Sequence, residues 1–298
     1  MSCCGKPKQA IYEDEPIIGD HFKTFTQIKE YLYQTGVKQY DVVFYLDFSR
    51  SNLLNQETTL LHTDSQTNPY YMALEAVALA AAQLDSDQKF LAYRYGCTES
   101  KHLRIVPLYQ DQVQYEGIDA LLCAYKQACR DVTFSGPVQL SKCFENSIEF
   151  SKQNPGKHIV SVLITNSQSQ SEIKDINALK QASMYPISFC CFGVGRKNLQ
   201  TLELYDDLKG RNVDNFQFVD FDKIKKKVVR LSVSEAKLID FIGCQIFMEI
   251  PFQAKQMHSK DYYNLDRTVI FTEYSAIVTS NHETQEIPLK FEHLDMLE

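Results

Sequence analysis

The stretch DVVFYLDFSRSN, from Asp41 to Asn52, carries a carboxylate and two hydroxyls at alternate positions: Asp47, Ser49 and Ser51. An apolar run that stops in D-x-S-x-S has two readings. In one, the three oxygens share a side of a tight loop and suit a hard cation such as magnesium, which takes oxygen ligands at near-octahedral angles. In the other, Asp and Ser satisfy their own turn backbone, as these residues commonly do. Place along the chain bears on the choice, because ligands of open α/β sheets bind where parallel strands end and their loops diverge.

Other reactive groups are scattered. The nine cysteines include no C-x-x-C pair and sit mostly in apolar segments, so they read as reduced core residues, without zinc-ligand spacing. Gly193-Val194-Gly195 follows a strand but lacks a third glycine, and neither a phosphate loop nor a G-x-S-x-G elbow occurs. The seven histidines make no metal or triad spacing. The expectation is a protein without catalytic function. A formal net charge of −7 argues against nucleic-acid binding. One basic run, Lys223, Lys225, Lys226, Lys227 and Arg230, is a candidate surface for an acidic protein or anionic lipid, with a solvated helix face as the alternative. Cys3 and Cys4, near Lys6 and Lys8, are candidates for palmitoylation and a peripheral membrane anchor; two unmodified thiols are the alternative. With no secretory signal, glycosylation acceptor or long apolar span, a cytoplasmic protein is expected.

The elements that must position these groups alternate along the chain. Strand candidates are DVVFYLD, KFLAYRYG, LRIVPL at an edge, HIVSVLIT, PISFCCFGVG and FQFVDF. Between them NPYYMALEAVALAAAQL, EGIDALLCAYKQACRDV, VQLSKCFENSIEFSKQ and SEIKDINALKQAS have helical periodicity. A last helical region runs from about Asp222 to Met257, with an interruption expected near Pro251. Such alternation predicts a doubly wound, mostly parallel sheet covered by helices on both faces. Residues 1–20 read as a flexible tail, 21–258 as the α/β domain, and 259–298 as an extension holding a β-hairpin.

In that order FYLDFSRSN, LLHT, NPYYMALEAV, LDSDQKF, YRYG, GIDALLCAYKQA, SGPVQL, VLIT, YPISFCCFGVG and FQFVDF resemble the landmarks of the copine-type von Willebrand factor A domain. The resemblance implies a six-stranded sheet with a metal-ion-dependent adhesion site on its upper edge. Asp47, Ser49 and Ser51 match the first motif of that site, and His62 falls at a position where a structural role is expected. The family's threonine and second aspartate are replaced here by Val138 and Asn166, so two of five ligands differ. The expected cofactor is therefore none, or weakly bound Mg2+, with Gln139, Ser141 or the Asn166 carbonyl as alternative donors. Copines carry calcium-dependent lipid-binding domains ahead of the A domain, and plant relatives carry a zinc-binding ubiquitin-ligase module behind it. Neither is recognisable here, so neither activity is expected. What remains is a non-enzymatic scaffold for protein partners of unknown identity, in a stable, cytoskeletal assembly; the alternatives are the acyl-anchored adaptor and a metal-dependent signalling binder.

Overall fold

A computed structural model describes residues 22–264 apart from 38, 54–61, 63–67, 85–86, 168, 196–198 and 232–234. The candidate acyl sites Cys3 and Cys4 and the expected hairpin in 259–298 lie outside the described residues, save for 259–264. The chain separates into two units after Tyr263, and every element below belongs to the first.

Strand β1, Tyr40–Asp47, is buried along its carboxyl half and sits at the centre of the sheet. β2 (Lys89–Tyr95) and β5 (His158–Thr165) flank it in parallel, with Phe44 opposite Ala92 on one side and Val162 on the other. β6 (Ile187–Gly193) and β7 (Phe216–Asp220) extend the parallel set beyond β5. Two short antiparallel strands pair with β2: β3, Val106–Pro107, and β4, Gln114–Glu116. The fold class is the mostly parallel α/β sheet expected. Its seventh strand, β4, was not legible, because three residues reading QYE are too short to display alternation.

Both faces of β1 are apolar, so both must be covered. Val42, Phe44 and Leu46 pack into a core shared with α1 (Phe25–Gln34), α2 (Pro69–Ala81), α3 (Gly117–Asp131) and α8 (Glu235–Phe247). Tyr45 points the other way, and its hydroxyl meets Ser147 at 2.9 Å on α4, Ser141–Gln153. That face is completed by α4 packed against α5, Glu172–Ala182. Local chemistry starts the helices as their sequence suggests: Thr24 and Gln27 form a capping box on α1, while Asn68 caps α2 ahead of Pro69. The last region divides into α7 (Phe221–Leu231), α8 and α9 (Ile250–Ser259). The interruption expected near Pro251 falls between Phe247 and Ile250, and Pro251 sits in the first turn of α9, where no amide donor is needed. A short helix, α6 at Gln200–Asp206, was not anticipated.

At the amino end of β5, His158 is buried, with Nε2 2.9 Å from Ser188 Oγ and Nδ1 2.7 Å from the Tyr263 hydroxyl. Burial lowers its pKa to about 3. An unfolded histidine takes its proton near pH 6.5, so the native state is favoured fully above that pH and loses this contribution as pH falls toward 3. The stability gap between wild type and His158→Gln should shrink by about 2 kcal/mol from pH 6.5 to pH 5, read by urea unfolding at each pH. A gap that stays constant would mean that the imidazole takes up a proton within the fold.

Candidate functional site

The upper edge is the row of carboxyl ends of β1, β2, β5 and β6, and Asp47 stands at its centre with no exposed surface. Its Oδ1 accepts the backbone N–H of Ser49 at 2.8 Å, and its Oδ2 accepts the hydroxyl of Thr165 at 2.7 Å. Burial raises the Asp47 pKa, opposed by the Ser49 and Thr165 hydrogen bonds. The two loop hydroxyls continue the network. Ser49 Oγ lies 2.7 Å from Ser51 Oγ, and Ser51 Oγ donates to Asn166 Oδ1 at 2.6 Å. Asn166 returns a bond from Nδ2 to the Ser51 carbonyl at 3.0 Å. The structure therefore brings together Asp47, Ser49, Ser51 and Asn166. Val138 is also buried, but its side chain carries no oxygen; its carbonyl accepts Gln170 N at 3.1 Å and Ser169 Oγ at 3.3 Å.

Backbone contacts lock the surrounding loops to each other. A turn of 3-10 helix, Arg50–Asn52, follows β1, and Arg50 N–H donates to the Gly136 carbonyl at 2.9 Å. Ser135 and Gly136 both donate to the Gly96 carbonyl, at 3.2 and 2.7 Å. Gly96 has φ +78 and lies so close to the Ser49 backbone that a Cβ would stand 2.6 Å from Ser49 Cα. Only glycine satisfies both conditions. From below, His62 bridges the Asp47 carbonyl, 2.7 Å from Nε2, and the Tyr125 hydroxyl, 2.8 Å from Nδ1. Its ring is stacked between Phe48 and Tyr70, and burial lowers its pKa to about 3, so it is a neutral brace. That is the structural role expected for it.

Two of the alternative donors, Gln139 and Ser141, are bonded to each other. Gln139 Nε2 donates to Ser141 Oγ at 2.9 Å, and Ser141 N–H, at the start of α4, donates to Asp175 Oδ1 at 2.7 Å. Asp175, on α5, was missed by sequence reasoning; it caps α4 from another helix, and burial raises its pKa to about 6 against hydrogen bonds from Ser169 and Ser141. Thr165 was missed too, although its place just before Asn166 at a strand end was a usable signal. Among the described residues no group of three or more His, Cys, Asp or Glu is arranged to hold a metal ion. In the basic run, Lys223 lies 3.4 Å from Asp220 and 3.6 Å from Glu203, so it is engaged locally. Lys226 and Lys227 are exposed and Lys225 is half-buried; Arg230 lies in α7.

The family model described as Copine matches residues 60–265. The E3 ubiquitin-protein ligase RGLG4 of Arabidopsis thaliana is 27% identical over 255 residues, covering 80% of this chain and 63% of that protein. Copine family protein 2 of Caenorhabditis elegans is 28% identical over 257 residues, covering 83% of this chain and 3% of the relative. The chain thus spans less than two thirds of either relative. A manganese-loaded Plasmodium vivax TRAP protein superposes with a TM-score of 0.45 at 12% identity, over 64% of this chain and 72% of that one. The expectation of a non-enzymatic protein is overturned by the plant relatives, since RGLG4 and four others are named E3 ubiquitin-protein ligases and point to enzymatic activity among proteins of this kind. The resemblance named the ligase module of the plant relatives, and its activity was set aside; a ligase name describes a whole relative and not the shared segment alone.

Two substitutions probe the geometry. Thr165→Val leaves a buried carboxylate one donor short and should cost about 1–3 kcal/mol in chemical denaturation. Gly96→Ala meets both the left-handed backbone and the Ser49 contact and should cost about 3 kcal/mol or more. Near-neutral results would show that the upper-edge loops are not held together as described.

Proposed function

The chain belongs to the copine family, and from that premise we propose that its upper edge is a protein-recognition surface working without a tightly bound divalent cation. The observation that carries this reading is the closed hydrogen-bond network of Asp47, Ser49, Ser51, Asn166 and Thr165. In a magnesium site these oxygens would turn lone pairs to the ion, and carboxylates would balance its charge. Here Asp47 is the one carboxylate of the set, and both its oxygens already accept hydrogen bonds. Asn166 supplies a neutral amide, and Val138 supplies a buried aliphatic side chain. His62, held neutral, adds no charge. This donor set does not fit a dication bound at micromolar affinity, and no step of recognition is routed through one.

Without a captured cation, contact with a partner is constitutive instead of switched by metal, which suits a lasting assembly. The activity named in the plant relatives is compatible with this role, because a ligase must hold the protein that it modifies, and a recognition domain supplies that hold.

Titration calorimetry with Mg2+ and Mn2+ tests the metal part directly. Wild type should show no micromolar binding, and Val138→Thr combined with Asn166→Asp should strengthen affinity by about 100-fold, by restoring an oxygen and a charge. Micromolar affinity in wild type that disappears in Asp47→Ala would overturn the reading.

A further inference from the structure

Large apolar side chains exposed among the described residues are not spread evenly. Leu53, Leu103, Ile173 and Leu204 are 43%, 64%, 75% and 67% exposed, and only Tyr33 shares that property elsewhere. These four lie on segments that follow the carboxyl ends of β1, β2, β5 and β6 respectively. The same edge carries cations. Arg50, Lys101 and Arg104 are all exposed, and none forms an ion pair among the described residues. By contrast two acids of these segments among the described residues are engaged: Glu99 pairs with Arg94 at 2.5 Å, and Glu172 accepts the Thr201 hydroxyl at 3.1 Å.

The Arg50 and Lys101 segments adjoin one residue, Gly136. Gly136 takes the Arg50 N–H on its carbonyl, and a Cβ added to it would lie 2.9 Å from Lys101 Cα. Lys101 is itself held at φ +50, with its carbonyl accepting Gly96 N–H at 3.0 Å and its N–H donating to the Cys97 carbonyl at 2.6 Å. Leu53 N–H closes onto Arg50, and Leu103 N–H onto Ser100. Cations and leucines therefore stand on one cross-tied platform beside the buried Asp47 network.

We propose that the face formed by Arg50, Leu53, Lys101, Leu103 and Arg104 binds an acidic protein segment bearing an apolar anchor, with its carboxylates pairing directly to the two arginines and the lysine. Charge complementarity selects this partner: exposed cations without internal partners beside exposed leucines ask for carboxylates around an aliphatic group. An anionic membrane is less favoured, because the chain as a whole carries −7 and is repelled from such a surface. The proposal rests on the metal-free recognition surface above and adds the chemistry of its ligand.

Fluorescence anisotropy of the full chain with a labelled peptide, a Leu-Leu pair flanked by glutamates, tests it in EDTA and in Mg2+. Binding in EDTA should weaken with added salt. It should fall by about 10- to 30-fold in one protein carrying Arg50→Glu, Lys101→Glu and Arg104→Glu, whose thermal melt stays that of wild type; that protein should prefer a lysine-flanked peptide. Absent binding, or binding in EDTA indifferent to the charge reversal, overturns the acidic-ligand proposal while leaving metal-free recognition standing. Binding seen only with Mg2+ overturns both. Stronger, charge-dependent binding to phosphatidylserine vesicles than to the peptide would overturn the protein partner in favour of a membrane.

Discussion

A carboxylate buried at the end of a central strand is the constraint around which the upper edge is built. Asp47 has no exposed surface, and an uncompensated charge there would cost several kcal/mol. Compensation comes from the Ser49 N–H and the Thr165 hydroxyl, and each demands something of the fold. The first requires the chain to turn back immediately after Asp47. The second requires β5 to run beside β1 in register, so that its last residue arrives next to the carboxylate. The tight turn in its own right needs room, which Gly96 yields by having no side chain.

The residues that differ from a metal-binding pattern are consistent with one another. An aspartate at 166 could accept the Ser51 hydroxyl, but it could not donate back to the Ser51 carbonyl, and it would set a second charge near Asp47. Asn166 does both jobs neutrally. Val138 removes an oxygen that would want a partner and packs as core. His62 completes the pattern from below: its Nε2 faces a carbonyl, so Nε2 carries the proton, and the buried ring stays uncharged. None of these residues carries a positive charge, and Arg50, Lys101 and Arg104 stand exposed outside them.

Much of this was legible in the chain. The strand ending in D-x-S-x-S, the parallel alternation and the buried helix after Asn68-Pro69 all follow from patterns within a few residues of each other. What was not legible depends on contacts between distant segments. Thr165 reads as the last residue of a strand until β5 is seen beside β1, and Asp175 reads as a first-turn helix acid until it is found capping α4. Gly96 and Gly136 are unremarkable glycines in sequence, since what excludes a Cβ there is a neighbour some 35 to 50 residues away. Charge is spread in the same way. The dense run on α7 is contiguous in sequence, and its Lys223 is tied to Asp220 and Glu203, whereas Arg50, Lys101 and Arg104, which form no ion pair among the described residues, come from two separate loops.

The cross-tying of those loops bears on how the surface works. Binding surfaces on mobile loops lose affinity to the ordering that association imposes, by about 0.5–1.5 kcal/mol for each immobilised flexible side chain and more where backbone is involved. Here the backbone part is settled before any partner arrives, because Ser49, Arg50, Gly96, Lys101 and Gly136 hold one another through main-chain hydrogen bonds and close contact. A site gated by a cation gains control at the expense of being empty when the ion is scarce. On the reading proposed above, a preorganised edge whose buried carboxylate is held by hydrogen bonds gives up that control. Regulation of such a surface then has to act on its outer charges or on the supply of its partner, not on the buried carboxylate.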